Sequence, residues 1–510
     1  MTFPWLTVLV LLPALGAVLT VLVPTARPTL AKQIALGSAV ATLLVAIGAL
    51  TQFSLSGQRY QLTESYTWID AVGASWSLGV DGIGMALILL TALATPIVGL
   101  AMWHEAVGSG HPQRTLFALL LVLEAMIIGA FAAKDVLLFY VLFEAMLIPM
   151  YFMIGSYGGP SRRYAAVKFL LYNLFGGLVM LAAVIGLYVQ STGQDGGGTF
   201  ALAELVALDI PVETQRWLFL GFMLAFAIKA PLWPFHTWLP DAAAEATPSN
   251  AAYLSGVMDK VGTFAMVALV LPLFPEASRE FAPVIVVLAV ITVLYGALLA
   301  IGQTDLKRLI AYVSISHFGF IVLGIFAMTS RGITGSGVYM VHHGLSTIAL
   351  FLVVGFLISR RGSRLVSAFG GVQQVAPKLA GAFLVAGLSG LALPGLATFV
   401  PEFMVVLGTF ERYRVGAVLA ILGTVLAALY VLWMYQRTMN GPVREEVAAL
   451  PDLRPREVGA LAPLLGLLVV FGVFPSTVVE LVDQGTPPTM SEAGVTDTEP
   501  HVPAAEGSDR

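Results

Sequence analysis

Apolar residues in this chain are grouped in long blocks separated by short polar, charged or Pro- and Gly-rich breaks. Examples are the blocks 8–24, 34–52, 84–102 and 165–189. A helix needs about 20 consecutive apolar residues to cross the hydrocarbon core of a bilayer. A membrane β-barrel would instead show short segments of alternating apolar and polar residues. The pattern therefore predicts an all-α polytopic membrane protein.

Division of the chain at these breaks predicts about 14 membrane-spanning helices of about 20 residues each. Their expected limits are 3–23, 33–53, 82–103, 114–133, 135–156, 164–189, 216–238, 248–272, 282–302, 307–328, 334–359, 378–409, 414–436 and 458–481. The block 378–409 contains Pro394 and Pro401, so it is expected to be either one broken helix or two half-helices. No Lys or Arg precedes the first block, unlike a secretory signal, and we expect it to remain as the first helix.

Composition agrees with a membrane location and limits the chemistry. Hydrophobic residues make up 58% of the 510 residues and charged residues 11%, and the mean hydropathy is +0.88, whereas a soluble protein would be about a quarter charged. The sequence contains no Cys, which excludes thiolate-bound iron–sulfur clusters and zinc sites. It shows no Gly-rich dinucleotide loop after a strand and no ligand set for haem or flavin. We therefore expect no cofactor and no metal in this chain.

The distribution of loop Lys and Arg residues predicts the orientation, because cationic residues are retained on the cytoplasmic side. If the N-terminus faces outward, more of these residues fall in cytoplasmic loops than in external ones. An even number of spans then places the C-terminus outside as well. The tail from Asp483 onward is rich in Pro, Gly, Ser and acidic residues, and it is expected to be disordered.

Several ionisable residues interrupt the apolar blocks near mid-helix. A charge at the centre of a membrane helix costs about 2.5–3.5 kcal/mol on insertion scales, so such residues usually face the bundle interior or water and are functional. These residues are Glu124, Glu144, Lys168, Lys229, Asp259, Lys260, His317, His342, His343 and Glu402. Glu124 is either a transport residue or a protonated acid bonded to a neighbouring helix.

Structural roles are the alternative for some of these residues. Lys168 is close enough to a helix end to extend to the interface. Adjacent residues on a helix point about 100° apart, so one member of the pair His342–His343 is expected to be structural. For the same reason Asp259, beside Lys260, is expected to form a helix–helix hydrogen bond rather than to relay protons.

Glu144, Lys229, Lys260 and Glu402 are the strongest candidates for proton transport. An unpaired lysine in apolar surroundings tends to lose its proton, and a carboxylate within about 4–6 Å reverses that tendency. A Glu–Lys pair whose separation changes therefore acts as a proton switch. Histidine can relay protons between such groups, because its reference pKa is near 6.5.

Two Pro-interrupted segments resemble each other weakly. The segments LWPFHTWLPD (232–241) and LPGLATFVPE (393–402) share Leu, Thr and Pro at aligned positions, and both end in an acid. Paired interruptions of hydrophobic segments point to inverted repeats with the functional site near the breaks. Carbonyl groups freed at such breaks are tolerated only beside protein or water. Broken helices and buried ionisable residues are thus expected together in a hydrated proton path.

Seven motifs carry a family resemblance that covers roughly residues 75–440. They are GVDGIG (79–84), FYVLFEAMLIPM (139–150), AVKFLLYNLFG (166–176), FAIKAPLWPFHTWLPDA (226–242), SISHFGF (314–320), HGLS (343–346) and LPGLATFVPEF (393–403). The chain resembles the antiporter-like, proton-pumping membrane subunits of bacterial respiratory NADH:quinone oxidoreductase (complex I). Among these it is similar to the M type, whose mitochondrial counterpart is subunit 4. The family also includes subunits of multi-subunit cation/proton antiporters and of membrane-bound hydrogenases.

The resemblance implies proton-translocating roles at the matching positions. These positions are Glu144 in helix five, Lys229 in helix seven, Lys260 in helix eight, His317 in helix ten, His343 in helix eleven and Glu402 in helix twelve. A Glu at the last position is typical of the M type, whereas sister subunits have Lys there. Further candidates are Lys168, Asp241 and Glu124, the last of which matches no family position. Two departures are Ala243, where the family usually has His, and Pro401, where many members have Gly.

The resemblance also implies an architecture of 14 helices with two inverted five-helix repeats, helices 4–8 and 9–13, in which helices 7 and 12 are broken. The expected divisions are three N-terminal helices (1–113), the first repeat (114–272), the second repeat (282–440), a cytoplasmic loop with the last helix (441–482) and the tail (483–510).

The implied function is outward proton translocation across the bacterial plasma membrane, driven by redox chemistry in other subunits. FMN, iron–sulfur clusters, NADH and quinone are expected in those partner subunits. The expected partners are neighbouring membrane-arm subunits and the bilayer, and not nucleic acid. The alternative is a subunit of a Na⁺(K⁺)/H⁺ antiporter, and Glu402 favours complex I. A passive scaffold would need neither a separable Glu–Lys pair nor paired helix breaks.

Overall fold

The computed structural model of the protein describes residues 3–105, 110–193 and 197–497. Within these ranges the chain is mostly helical, and 12 helices are long and apolar enough to cross a membrane. The predicted class, a polytopic α-helical membrane protein, is confirmed.

The longer helices are numbered here α1 to α14, with α7 and α12 each divided into two segments. They are α1 (Trp5–Leu22), α2 (Pro28–Gln52), α3 (Gly82–Ala101), α4 (Gln113–Ala132), α5 (Val136–Ala145 and Leu147–Tyr157), α6 (Arg162–Thr192), α7a (Val212–Lys229), α7b (Trp238–Glu245), α8 (Pro248–Leu273), α9 (Pro275–Ile301), α10 (Leu306–Ala327), α11 (Ser330–Arg361), α12a (Pro377–Gly390), α12b (Phe399–Arg412), α13 (Arg414–Met439) and α14 (Pro455–Val473). Short helices follow as α15 (Ser476–Asp483) and α16 (Thr486–Glu492), and others occupy Leu202–Val206 and Val372–Val375.

A β-hairpin between α2 and α3 is the exception to the helical fold, and the apolar pattern did not predict it. Its antiparallel strands are β1 (Gln61–Ile69) and β2 (Ala74–Val80), with Tyr66 opposite Trp76. Gly73 at the turn has a φ of +67°, a conformation that costs glycine little because it has no Cβ.

The predicted spans 216–238 and 378–409, which carry Pro231, Pro234 and Pro394 in their interiors, are both interrupted, whereas α1 and α3 continue through Pro13 and Pro96. Residues 230–237 separate α7a from α7b, and residues 391–398 separate α12a from α12b. Proline removes a backbone N–H and disfavours helical conformation in the residue before it, which accounts for both positions. The expected break in 378–409 is therefore present, whereas the count of about 14 spans and the inverted repeats stay predictions.

Acidic and hydroxyl side chains define where several membrane helices begin. Asp81 accepts a hydrogen bond of 2.8 Å from Gly84 N at the start of α3, and Asp135 accepts one of 2.9 Å from Leu138 N at the start of α5. Asp305 does the same for Lys307 N, at 2.9 Å, at the start of α10. These N-caps satisfy amide groups that have no partner within the helix.

Helices α8, α10 and α11 form the centre of the bundle, and almost all of their residues are buried. Helices α1, α2, α13 and α14 lie outside and expose large apolar side chains, including Leu22 (72%) and Val415 (74%). Ionisable residues on the central helices are therefore surrounded by protein rather than by lipid, so their partners lie within the bundle.

The tail expected to be disordered from Asp483 onward is folded where the structure describes it. Glu492, in α16, forms an ion pair with Arg59. Arg279 donates hydrogen bonds of 3.1 and 3.0 Å to the carbonyls of Ala493 and Gly494. Side chains more than 200 positions earlier in the sequence thus hold this segment in place, as composition alone could not indicate. The rest of the tail, 498–510, lies outside the described residues.

Candidate functional site

Glu144 and Lys229 interact electrostatically without touching. Glu144 lies in the last turn of the first segment of α5, and Lys229 is the last residue of α7a. Each is within electrostatic reach of the other. Among the described residues, neither Glu144 oxygen nor Lys229 Nζ has a hydrogen-bond partner. The charges therefore attract each other while no hydrogen bond among the described residues fixes either charged group.

The surroundings of this pair are apolar and closely packed. Lys229 Nζ lies 5.0 Å from the centroid of the Phe143 ring, next to Glu144 in sequence. A methyl group at Gly177, on α6, would collide with the Glu144 carboxylate. The missing side chain at Gly177 thus provides the space that Glu144 occupies.

The break that follows Lys229 is held by hydrogen bonds from other elements. Trp238 Nε1 donates to the carbonyl of Ile228 at 2.9 Å, and Trp233 N donates to Thr292 Oγ1 on α9 at 3.0 Å. Since buried backbone groups need partners, these bonds fix the end of α7a and with it the position of Lys229.

Asp259 and Lys260 lie between two wide turns of α8. The segments Leu254–Met258 and Met266–Val270 are π-helical, a conformation often found at functional sites. Asp259 is fully buried, and its carboxylate oxygens have no hydrogen-bond partner within the described chain. The helix–helix hydrogen bond expected for Asp259 is therefore absent there. Asp259 instead interacts electrostatically with Lys260 and Lys229.

Lys260 connects α8 to α10 and α11. Its ammonium group donates to the carbonyl of Ser255, one wide turn earlier, and lies 2.8 Å from His343 Nδ1. The other ring nitrogen of His343 lies 3.3 Å from Ser314 Oγ on α10. All three side chains are buried, so the lysine and the histidine are in direct hydrogen-bond contact away from solvent.

A row of side chains continues from His343 to Glu402. The ring centroids of His343 and His317 are 5.1 Å apart, and those of His317 and Tyr339 are 5.7 Å apart. Tyr339 then donates a hydrogen bond of 2.6 Å to Glu402 Oε2. Thr424 donates one of 2.5 Å to the other Glu402 oxygen. The structure thus places His343 next to Lys260 and His317 beyond it.

His342 contacts the break in α12, and His317 lies beside the end of α12a. His342 Nδ1 lies 2.6 Å from the carbonyl of Ala397, inside the break, and the backbone of Gly390, at the end of α12a, lies beside the His317 ring. His342 and His343 therefore point to different partners, as expected for adjacent helical residues. An apolar cavity of about 410 Å³, lined partly by Phe399, lies beside Glu402.

Lys168 and Asp241 form an ion pair at one end of the bundle. The Lys168 Nζ to Asp241 Oδ2 distance is 2.7 Å, and Arg308 pairs with the other oxygen of Asp241. Helices α6, α7b and α10 meet at this cluster. The alternative role for Lys168 as a side chain near a helix end fits its partial exposure of 20%.

Glu124 is separate from both groups. It is fully buried in α4, and neither carboxyl oxygen has a well-aligned hydrogen bond within the described residues. The hydroxyl groups of Thr95 and Tyr253 lie beside it. These contacts join α4 to α3 and α8, and they do not lead to the row of side chains around Lys260.

Sequence reasoning missed two residues of this site, Tyr339 and Thr424. Tyr339 lies four positions before His343, on the same face of α11, and this spacing could have revealed it. Asp259 was recognised but assigned to packing. Thr424, on the largely lipid-facing helix α13, gives no signal in sequence. Within the described residues, no group of three or more His, Asp or Glu side chains is arranged to hold a metal ion.

Comparison with protein families gives one extensive match. The family described as "NADH:quinone oxidoreductase/Mrp antiporter, TM" matches residues 133–428, which include α5 to most of α13. All six principal candidates, from Glu144 to Glu402, fall within the matched segment.

Individual relatives match nearly the whole chain. The NADH-quinone oxidoreductase subunit M of Mycobacterium tuberculosis is 51% identical over 535 residues, covering 98% of this chain and 96% of that protein. A chain of respiratory complex I from Thermus thermophilus, solved with bound NADH, is 32% identical with a TM-score of 0.87 and covers 96% of this chain and 100% of that chain. A chain of the Mrp complex from a Dietzia species has a TM-score of 0.83 over 97% of this chain and 100% of that chain. Its identity is only 22%, so this likeness shows the fold alone.

Proposed function

Because the chain belongs to the NADH:quinone oxidoreductase/Mrp antiporter family, we propose that it is the M-type, proton-translocating subunit of a respiratory NADH:quinone oxidoreductase. Electron transfer takes place in other subunits, which hold FMN, iron–sulfur clusters and the NADH and quinone sites. This chain moves protons from the cytoplasm to the outside of a bacterial plasma membrane. It has both termini on the outer side and contacts neighbouring antiporter-like subunits.

The observation that carries this proposal is the buried row from Lys260 through His343, His317 and Tyr339 to Glu402. The Lys260–His343 and Tyr339–Glu402 contacts are 2.8 and 2.6 Å long, short enough for direct proton transfer. A passive scaffold has no need for a run of ionisable side chains from the enclosed helices α8, α10 and α11 to α12b, because each is costly in a membrane.

The proton begins at the cytoplasmic end, where Lys168, Asp241 and Arg308 lie, and reaches Lys229. Glu144 sets the affinity of Lys229 for this proton: attraction by the carboxylate keeps the lysine charged, and withdrawal of Glu144 releases the proton. The proton then follows the Lys260–Glu402 row and leaves outward beside α12b.

The cost of moving a proton against the membrane potential and the energy of a moderate pKa change are similar in size. Moving one charge against 100 mV costs about 2.3 kcal/mol. A change in proton affinity of one to two pKa units corresponds to about 1.4–2.7 kcal/mol. Small movements of Glu144 relative to Lys229 are therefore sufficient to change the direction of transfer.

The test uses the whole complex, purified and reconstituted in proteoliposomes, with NADH oxidation and proton uptake measured together. Glu144→Gln and Lys229→Ala are expected to lower the protons moved per NADH, while the assembled complex still oxidises NADH. Glu280→Gln is the matched control, because Glu280 is paired with Arg216 at an exposed position on α9. Normal proton yield in both variants would refute the proposal.

A Na⁺(K⁺)/H⁺ antiporter subunit is the second candidate, favoured only by the shared fold. It predicts proton movement driven by an imposed Na⁺ or K⁺ gradient without NADH. Proton movement that needs NADH and is unaffected by either cation supports the complex I assignment, and co-purification with redox subunits supports it independently.

A further inference from the structure

Among the described residues, no hydrogen bond joins Lys229 to Lys260 for direct proton transfer. Lys229 Nζ has no hydrogen-bond partner within the described chain. Lys260 Nζ is bonded to the Ser255 carbonyl and to His343, and neither of these partners belongs to α7a. A group between the two lysines is therefore needed to join the Glu144–Lys229 pair to the Lys260–Glu402 row.

Asp259 lies on the face of α8 that packs against the end of α7a. The evidence is Gly262, whose Cβ position would lie 3.0 Å from Lys229 Cβ and 3.1 Å from Ala230 N. Residues three apart on a helix share a face, so Asp259 is directed to the same side as Gly262. Its electrostatic interactions agree, because they include both Lys229 and Lys260.

Lys260 projects about 100° away from Asp259, toward His343 on α11. The two adjacent residues thus face different helices, and together they span α8 from α7a to α11. The π-helical turns on both sides give this segment a wider backbone than a regular α-helix. From the sequence, the different directions of Asp259 and Lys260 argued against a relay role for Asp259. In the structure, the same difference places the two side chains toward different helices and so allows a relay across α8.

We propose that Asp259 is the carboxylate that transfers the proton from Lys229 to Lys260. This inference rests on the proposed function. Its physical basis is a fully buried carboxylate whose two oxygens have no hydrogen-bond partner among the described residues. Such a group is costly unless it binds a proton or a cation, and the nearby cations are the two lysines.

The transfer takes two steps. An N–H bond of the Lys229 ammonium breaks, and an O–H bond forms on Asp259, which leaves a neutral amine and a neutral acid. The O–H bond then breaks, and an N–H bond forms on the neutral amine of Lys260, which restores the Asp259 carboxylate. The intermediate contains no separated charges, which is favourable in apolar surroundings. Glu144 competes with Asp259 for Lys229, so withdrawal of Glu144 favours the first step.

The test compares Asp259→Asn with Lys229→Ala in the reconstituted complex. Asn has nearly the same shape but cannot bind the proton, so both variants are expected to lower the protons moved per NADH to the same level, and the double variant is expected to be no lower. Asp259→Glu is expected to restore part of the loss. Asp70→Asn, at an exposed position in the loop of the hairpin, is the control and is expected to match the unmodified complex.

Wild-type proton yield in Asp259→Asn, with loss in Lys229→Ala, would overturn the role of Asp259 and leave the proposed function intact. Wild-type yield in both would count against the proposed function itself. If Asp259→Asn does not assemble, difference infrared spectra of the wild-type complex labelled with carbon-13 aspartate decide the question. A protonated aspartate band that rises during turnover supports the transfer, and its absence overturns it.

Discussion

Tyr339 donates a hydrogen bond of 2.6 Å from the first third of α11 to Oε2 of Glu402 in the first turn of α12b. Thr424 donates to the other oxygen at 2.5 Å from α13. Glu402 is therefore held between two hydroxyl donors on different helices, directly after the break in α12. Glu402 is the last group of the row before the proposed exit, and Tyr339 is the group that contacts it from within the row.

Tyr339→Phe is expected to slow proton transfer to Glu402 by about tenfold or more, because a hydrogen bond to a charged group contributes about 1.5–3 kcal/mol. The ring volume is kept, so the complex should assemble. Protons moved per NADH in proteoliposomes measure the effect. Tyr435→Phe, on α13 and packed against Phe383, is the control. Equal proton yields for the two variants would show that the Tyr339 hydroxyl has no part in the path.

Gly177→Ala is expected to impair proton translocation without unfolding the protein. The new methyl group would collide with the Glu144 carboxylate, which can rotate away and so change its distance to Lys229. Gly186→Ala is the control on the same helix, because its methyl group would meet only the Leu218 side chain, at 2.9 Å. Reduced proton yield in the first variant and not in the second supports the Glu144–Lys229 pair. A wild-type yield in Gly177→Ala would contradict it.

The membrane helices and the positions of their breaks followed from the sequence, because hydrophobic length and proline act locally. The pairing of Lys229 with Glu144 was also predictable, since unpaired charges in apolar helices need partners. What the sequence could not supply was the direction of each side chain around its helix. Asp259 illustrates this: its neighbour Lys260 faces α11, while Asp259 itself lies on the α7a side.

Contacts between residues far apart in the sequence were the second kind of feature that could not be predicted. The ordering of residues 483–497 depends on partners such as Arg59 and Arg279, which lie hundreds of positions earlier. The β-hairpin, although local, has exposed aromatic residues on its strands and lacks the apolar alternation that usually reveals a half-buried strand. Thr424 is a partner of Glu402 only because α13 packs beside α12b.

His342→Phe is expected to destabilise the protein while leaving the Lys260–Glu402 row intact. The variant removes the contact of 2.6 Å with the Ala397 carbonyl, and an unpaired buried carbonyl costs about 1–3 kcal/mol. Thermal unfolding of the purified complex should occur at lower temperature, and protons moved per NADH should stay near wild type. His343→Phe should show the opposite pattern, with proton yield lost. Loss of proton yield in His342→Phe would place His342 in the path.

Lys134→Met is expected to stabilise the protein at low pH. Lys134 lies in the loop between α4 and α5, where burial lowers its pKa to about 7; the nearby Arg59 adds to the effect, and Asp81 and Glu492 oppose it. In the unfolded chain, lysine keeps its proton up to a pH of about 10.4. Between these two values the folded protein binds fewer protons than the unfolded chain, so its stability rises with pH. The cost of burying the charge is complete below a pH of about 7.

The stabilisation by Lys134→Met should therefore be largest below pH 7, at no more than about 5 kcal/mol, and should shrink as the pH approaches 10. Thermal unfolding of the complex, measured as the difference between variant and wild type at each pH, gives this profile. Lys378→Met, at an exposed position, controls for loss of a lysine. A pH-independent difference for Lys134→Met would show that Lys134 stays charged in the folded protein.

Glu124→Gln is expected to leave proton translocation unchanged, whereas Glu124→Ala is expected to destabilise the bundle. Thr95 directs its hydroxyl proton to the carbonyl of Thr91 at 2.9 Å, so its oxygen is available as an acceptor. A protonated Glu124 can donate to this oxygen, and the amide of Gln can do the same in nearly the same space. Alanine removes the donor and leaves a cavity, at a cost of about 2–5 kcal/mol for truncation of a large buried side chain. Proton yield and thermal unfolding, measured on the same preparations, separate the two effects. A fall in proton yield for Glu124→Gln at unchanged stability would make Glu124 a transport residue with its own route through Tyr253.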